Sequence, residues 1–252
     1  DCGNFSEEYL EAPENENEAI YREICRSLDE KRIEAENQRS AFGTELTDFY
    51  TLWVHQIKTP IAAARLLLQE EKPRPQEIQN ELFKVEQYVE MVLSYLRLDS
   101  DSTDYVLREY PLDDILRQAV RKFAKMFILK KITLDFRETG RTVLTDGKWL
   151  SFVVEQVLSN ALKYTPAGGR ITVSVTLYEL FCRIDVADTG RGIPEGAQGA
   201  IFQRFYREAA VHDVEGVGLG LFLTREIVTR QGGYVKVSSA PGQGSTFSLF
   251  LP

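Results

Sequence analysis

The chain has 252 residues, 43% of them hydrophobic and 27% charged, with a formal net charge of −8. That length exceeds one average domain and can bury a substantial core, while the negative charge argues against broad electrostatic binding to DNA or anionic lipid, so no nucleic-acid partner is expected. Three scattered cysteines (Cys2, Cys25, Cys182) and only two histidines (His55, His212) argue against a disulfide framework and a Cys/His zinc site, and fit a reducing compartment.

Residues 1–19 are acidic, rich in Asn and Glu, and include Pro13, so they read as a linker. From Ile20 to Gln69 the composition turns helical. Leu46, Tyr50, Trp53, Ile57, Pro60, Ala64 and Leu67 recur in alternating steps of four and three, a heptad-type seam. Pro73 and Pro75 stop this helix and mark a hairpin over 70–75. A second seam follows at Ile78, Leu82, Val85, Val89, Val92 and Leu96. Two such helices bury little alone, so residues 20–100 are expected to form an antiparallel hairpin that pairs with its own copy as a homodimeric four-helix bundle. The longest apolar run, Ile61 to Leu68, contains Arg65 and falls far short of the roughly 20 residues needed to span a bilayer. The chain opens on Asp1, so this says little about a longer parent protein.

His55 lies between the seam residues Trp53 and Ile57, roughly 200° from Trp53 on a helix, and so faces solvent. A lone histidine on a helix is ordinarily a tolerated surface residue. Here Pro60 follows in the same turn region, at a cost of about 3 kcal/mol inside a helix, a poor arrangement unless the region must bend or be reached. A neutral imidazole nitrogen is a competent nucleophile near neutral pH, and its phosphoramidate would be high enough in energy to pass a phosphoryl group onward.

After residue 101 short β-branched runs (132–136, 170–177, 182–187, 234–239, 246–251) interleave with helical stretches (112–127, 148–164, 219–230). This predicts an α+β domain over 101–252, a mainly antiparallel sheet with helices on one face. Four of its segments carry amide or glycine motifs. Gln156, Asn160, Lys163 and Tyr164 share one face of a helix: amide oxygens for a divalent cation, an ammonium for phosphate, a ring beside a base. Asp188-Thr189-Gly190-Arg191-Gly192-Ile193 follows a strand, where a carboxylate can accept the exocyclic amine of adenine; alone it reads as a turn. Gly216-Val217-Gly218-Leu219-Gly220 opens a helix and turns backbone N–H groups toward phosphate, though it lacks the Lys and Ser/Thr of a P-loop. Gly242-Gln243-Gly244-Ser245-Thr246 leads into the last strand and alone reads as a hairpin.

In this order, and with the His55 motif upstream, these segments resemble the sensor histidine kinases of bacterial two-component systems, whose ATP-binding domain is of the gyrase type. The resemblance covers residues 40–252. It implies a dimeric helical hairpin followed by an α/β sandwich, with ATP and Mg²⁺ as cofactors, phosphorylation of His55, and transfer to an aspartate of a response-regulator receiver domain. It further implies Mg²⁺ at Asn160 with Gln156 beside it, and Lys163 and Tyr164 near the nucleotide. Asp188 would take the adenine amine, supported by Ser245 or Thr246, and Gly190, Gly192, Ile193, Gly216, Gly218, Leu219 and Gly220 would line the nucleotide. Arg204 or Arg207 would meet the γ-phosphate or the partner helix, and residues 191–216 would form a lid. Thr59, one turn beyond His55, would either orient water on a phospho-aspartate in a phosphatase reaction or stand simply as a helix residue before Pro60.

Two positions depart from the family pattern. Gln56 stands where many members carry an acidic base, and an amide cannot act as one, though it can hydrogen-bond. Gln156 stands where ATP-hydrolysing relatives carry a water-activating glutamate, which favours transfer to His55 over hydrolysis. The segment from Tyr50 to Pro60 further resembles kinases that work beside peptide-antibiotic transporters, implying a membrane transporter as partner and a cytoplasmic portion of a membrane protein. The alternative is a catalytically weak, ATP-binding dimeric scaffold of the same superfamily.

Overall fold

The computed structural model describes residues 16–99, 105–207 and 216–252; Cys2, His212, residues 1–15 of the linker expected over 1–19 and the lid residues 208–215 lie outside them, and residues 16–19 of that linker already belong to the first helix. Helix α1 runs Glu16–Gln69 and α2 runs Pro75–Asp99, with the expected break between them. Pro75 sits at the first position of α2, where its fixed φ suits the helix and its missing N–H is not needed. Arg74 closes the turn, donating to Glu70 at 2.8 Å and Glu77 at 2.7 Å. Helix α1 continues through Pro60, which supplies no N–H to the Gln56 carbonyl. One residue earlier, Thr59 Oγ1 donates to the His55 carbonyl at 3.1 Å. No helix among the described residues is long and apolar enough to cross a membrane.

The chain divides into two compact units at Val54/His55, within α1. In the first unit α1 exposes Ile20, Ile24 and Leu28 and carries one-turn ion pairs such as Arg22–Glu18 and Arg32–Asp29, each contributing a few tenths of a kcal/mol, roughly 0.2–0.5.

The second unit holds the rest of α1, α2 and a five-stranded sheet ordered β2 (Thr133–Phe136), β4 (Arg170–Leu177), β5 (Cys182–Asp188), β7 (Gly244–Leu251), β6 (Tyr234–Ala240). The β2–β4 pair is parallel and the others antiparallel. Alternate residues Ile171, Val173, Ile184, Val186, Phe247 and Leu249 are buried, the period-two pattern of a sheet with one covered face. Three helices supply the cover: α3 (Leu112–Lys122) and α6 (Gly220–Arg230) flank α5 (Gly147–Tyr164). Asp146 caps α5, accepting from Lys148 and Trp149 N–H groups at 3.0 and 3.2 Å, a cap of the favoured type.

Two features differ from the sequence expectation. The helix expected over 112–127 is two, α3 and α4 (Ala124–Leu129), because Phe123 leaves the helical region to bury its ring. A two-stranded sheet of β1 (Arg108–Pro111) and β3 (Thr142–Thr145) was not expected, and both strands are only four residues long.

Of the expected seam, Pro60, Ala64 and Val92 are buried, whereas Leu82, Val89 and Leu96 are exposed. Helix α2 is therefore two-sided. Tyr88, Val92, Tyr95 and Leu98 are buried within the unit, and Leu82, Val89, Leu93 and Leu96 form an uncovered apolar stripe.

Candidate functional site

A cleft of about 450 Å³ opens at the end of α5, between the carboxyl end of β5 and the start of α6. That volume suits a nucleotide-sized ligand, since small-molecule sites run roughly 300–1,000 Å³. Helix α5 turns Gln156, Ser159, Asn160 and Lys163 into the cleft on one face, with Tyr164 at its rim. The C-terminal end of α5 is held by Lys130, whose ammonium donates to the Leu162 carbonyl at 2.6 Å and to the Lys163 and Thr165 carbonyls at 3.3 Å. Burial lowers the Lys130 pKa. Lys130 thus fixes the turn that presents Lys163 and Tyr164, and the Lys163 ammonium lies 5.4 Å over the Tyr164 ring.

Asp188 ends β5 at 9% exposure. Burial raises its carboxyl pKa, and the backbone N–H groups of Gly190 and Ser245 offset only part of that rise. The Gly190 bond is 2.7 Å. Antiparallel register sets Ser245 opposite Asp188 and Thr246 opposite Ala187, so Ser245 lines the cleft and Thr246 does not. The Ser245 hydroxyl is paired with that of Ser239 at 2.9 Å, and Ser239 Oγ also accepts from Ile193 N–H at 2.8 Å. Ser239, half-buried, therefore ties the Asp188 segment to the last hairpin. Gly192 and Ile193 line the cleft, while Gly190 lies just outside it, packed against the Tyr164 carbonyl.

The third wall is the glycine-rich start of α6. Gly216, Gly218 and Gly220 line the cleft, and Leu219 is fully buried beneath them. Among the described residues no side chain caps α6, and a helix start of this kind offers its first N–H groups to an anion. The Gln156 amide oxygen reaches this helix start, 2.7 Å from where a Cβ on Gly220 would sit. Arg207 lines the cleft; Arg204 does not, and lies instead over the rings of Phe222 and Tyr95. The lid segment includes two short 3₁₀ turns, Glu195–Ala197 and Ala200–Phe202.

His55 is exposed on α1, as its helical phase requires. Gln56 beside it accepts from Tyr88 Oη at 3.3 Å and from the Gly216 N–H at 3.1 Å. The histidine turn thus abuts the rim of the cleft. Sequence reasoning did not find Lys84, Gln87, Tyr88 and Met91 of α2, or Met126 and Lys130, all of which line it. Helical phase gave no signal for these, since they meet the cleft only through tertiary packing. The donor set fits a magnesium nucleotide. Asn160 and Gln156 offer neutral oxygens of the kind a hydrated magnesium ion accepts alongside phosphates, and the buried Asp188 carboxylate is an acceptor for an amine.

Comparison with known proteins agrees with this geometry. Residues 145–252 match the family described as histidine kinase-, DNA gyrase B- and HSP90-like ATPase. The chain is 30% identical to the sensor histidine kinase YxdK of Bacillus subtilis over 228 residues, 89% of this chain and 69% of that protein. It is 31% identical to the sensor histidine kinase GraS of Staphylococcus haemolyticus, covering 92% of this chain and 67% of that one. Among solved structures, full-length ShkA in complex with AMPPNP superposes with a TM-score of 0.58 at 25% identity, covering 81% of this chain and 45% of that one.

Proposed function

This chain belongs to the sensor histidine kinases, ATP-dependent protein-histidine kinases, and we propose that it transfers the γ-phosphoryl group of magnesium ATP to His55 and then to an aspartate of a response-regulator receiver domain. The observation that carries this reading is the juxtaposition of the cleft rim and the histidine turn through Gln56. Asp188 takes the adenine amine, Asn160 with Gln156 holds the metal, and Lys163, Arg207 and the amides opening α6 hold the phosphates. The magnesium ion supplies charge neutralisation of the phosphates. A ring nitrogen of His55 forms the N–P bond, the bond to the β–γ bridging oxygen breaks and ADP departs. The remaining ring proton passes to water, which reaches the exposed imidazole, since Gln56 cannot accept it.

We divide the chain functionally into a linker over 1–19, a dimerisation and phosphotransfer segment over 20–100 and an ATP-binding domain over 101–252. The uncovered stripe of Leu82, Val89, Leu93 and Leu96 supports self-pairing of the hairpin. Thr59 is assigned to phosphatase action on the receiver. A membrane transporter is assigned as a further partner from the Tyr50–Pro60 segment, and the chain is assigned to the cytoplasmic side of a longer membrane protein.

Incubation with γ-labelled ATP and Mg²⁺ tests the reading. Acid-labile, base-stable label that then moves to a receiver domain is expected; tight ATP binding without label would favour the scaffold alternative. The adenine contact has its own test. Asp188→Ala is expected to weaken ATP binding about 10- to 100-fold, because a hydrogen bond to a charged group contributes roughly 1.5–3 kcal/mol. Because burial raises the Asp188 pKa, the acceptor is lost on acidification sooner than an ordinary carboxylate would lose it. ATP affinity in the native chain should therefore start to fall above the usual carboxylate value of about 4. Calorimetric titration across pH reads both effects, and a flat profile in the native chain would count against the assignment.

A further inference from the structure

The second compact unit contains His55, α2 and the whole nucleotide cleft, and its internal contacts bear on a question the family membership leaves open, namely which subunit's ATP reaches which histidine. Four contacts seat the ATP-binding domain on α2 of its own chain. Lys122 bridges Glu90, at 3.1 Å, and Glu155. Lys125 donates to Gln79 at 2.8 Å. Phe83 meets Phe123 edge-on with ring centroids 5.7 Å apart, and Arg204 lies 5.8 Å over Tyr95. As a result Lys84, Gln87, Tyr88 and Met91 of that same α2 form one wall of the cleft.

The fifth contact is made by the residue next to the histidine. Gln56 Oε1 accepts from Tyr88 Oη and from the Gly216 N–H. Tyr88 and Gly216 both line the cleft. A single amide oxygen thus joins the histidine turn, the second helix and the glycine-rich loop. An amide oxygen carries two lone pairs and can accept both bonds at once. A carboxylate could do the same, but the amide does so without placing a negative charge beside phosphates.

Resting on the kinase reading above, we propose that Gln56 is a positioning residue. It docks the glycine-rich loop against the His55 turn of its own chain, so that each subunit phosphorylates itself with the ATP it holds. Gln56 neither donates to nor removes a proton from the reacting atoms. Its contribution is orientation, which in a transfer step is worth more at saturating substrate than in binding.

Mixed dimers of the native chain and a size-tagged Asn160→Ala chain, captured through the tag, separate the routes. Transfer within a subunit labels only the native chain, whereas label on the tagged chain would overturn the proposal. Should the tag capture no native chain, a labelling rate constant independent of protein concentration is expected, and one rising in proportion to it would overturn the proposal. Absence of label on the native homodimer would sink the kinase reading instead. For the residue itself, Gln56→Met keeps the shape and removes the acceptor. Labelling at saturating ATP is expected to fall at least about fivefold, the loss of one hydrogen bond alone being worth about that factor and the Tyr88 and Gly216 bonds both being lost, with ATP affinity changed less than about twofold. Gln56→Glu, which keeps an acceptor oxygen, should restore the rate to at least about half the native value. An unchanged or faster rate in Gln56→Met, or no rescue by Gln56→Glu, would overturn the positioning role.

Discussion

His55→Ala is expected to bind magnesium ATP as the native chain does and to carry no acid-labile phosphate. The imidazole is exposed on α1 and lines no part of the cleft, so removing it leaves the nucleotide contacts intact. Alanine is also the stronger helix former, and a surface substitution of this kind moves stability by no more than about 0.5 kcal/mol. Loss of label therefore cannot be ascribed to loss of fold or of ATP. The chain has only one other histidine, His212. Gel electrophoresis after labelling, with acid and base treatment, alongside an ATP titration of the same preparation, checks both halves. Acid-labile label persisting on His55→Ala would move the acceptor to His212 and remove the basis for reading the Gln56 contact as catalytic positioning. Weakened ATP binding would show instead that the α1 turn contributes to the cleft.

Much of the site was legible because its residues obey local rules. Gln156, Asn160 and Lys163 lie on one face of α5 because the helical period puts them there, and all three enter the cleft. The exposure of His55 followed from the same period. Asp188 was legible as the end of an apolar strand, but its burial and its bond to Ser245 come from the β5–β7 register, which pairs residues far apart in the chain. Lys130 gave no signal at all: it caps carbonyls 32 to 35 residues away, and nothing in an isolated Lys-Lys pair marks it as a helix cap. The break at Phe123 was likewise set by where its ring could be buried, not by a proline or glycine. Strands β1 and β3 are too short for alternation to stand out, and Pro111 weakens the first further. Gln56 was read for the base it cannot be, and its actual partners, Tyr88 and Gly216, appear only once the cleft is folded against α1.

Gly244→Ala is expected to destabilise the chain by more than about 3 kcal/mol and to cost ATP affinity at the same time. Gly244 opens β7 with φ at +84°, where an alanine is strained by roughly 1–2 kcal/mol. The larger effect is steric. A Cβ there would overlap the carbonyl oxygen of Asp188 and approach Thr189 Cα at 3.0 Å. Both are backbone atoms at the end of β5, so no rotamer change relieves the overlap, and β5 and β7 must part where Asp188 and Ser245 face each other. The same movement pulls the Ser245 N–H from the Asp188 carboxylate and opens the adenine end of the cleft. Gly242 provides the control. Its φ is +75°, and a Cβ there would meet nothing within 4 Å, so Gly242→Ala carries the backbone strain without the overlap. Urea unfolding of the two variants should give a midpoint lowered slightly for Gly242→Ala and far more for Gly244→Ala, with ATP affinity falling only in the latter. Equal midpoints would mean that the close approach of β7 to Asp188 contributes nothing to stability, and that the buried carboxylate is held in place by other contacts.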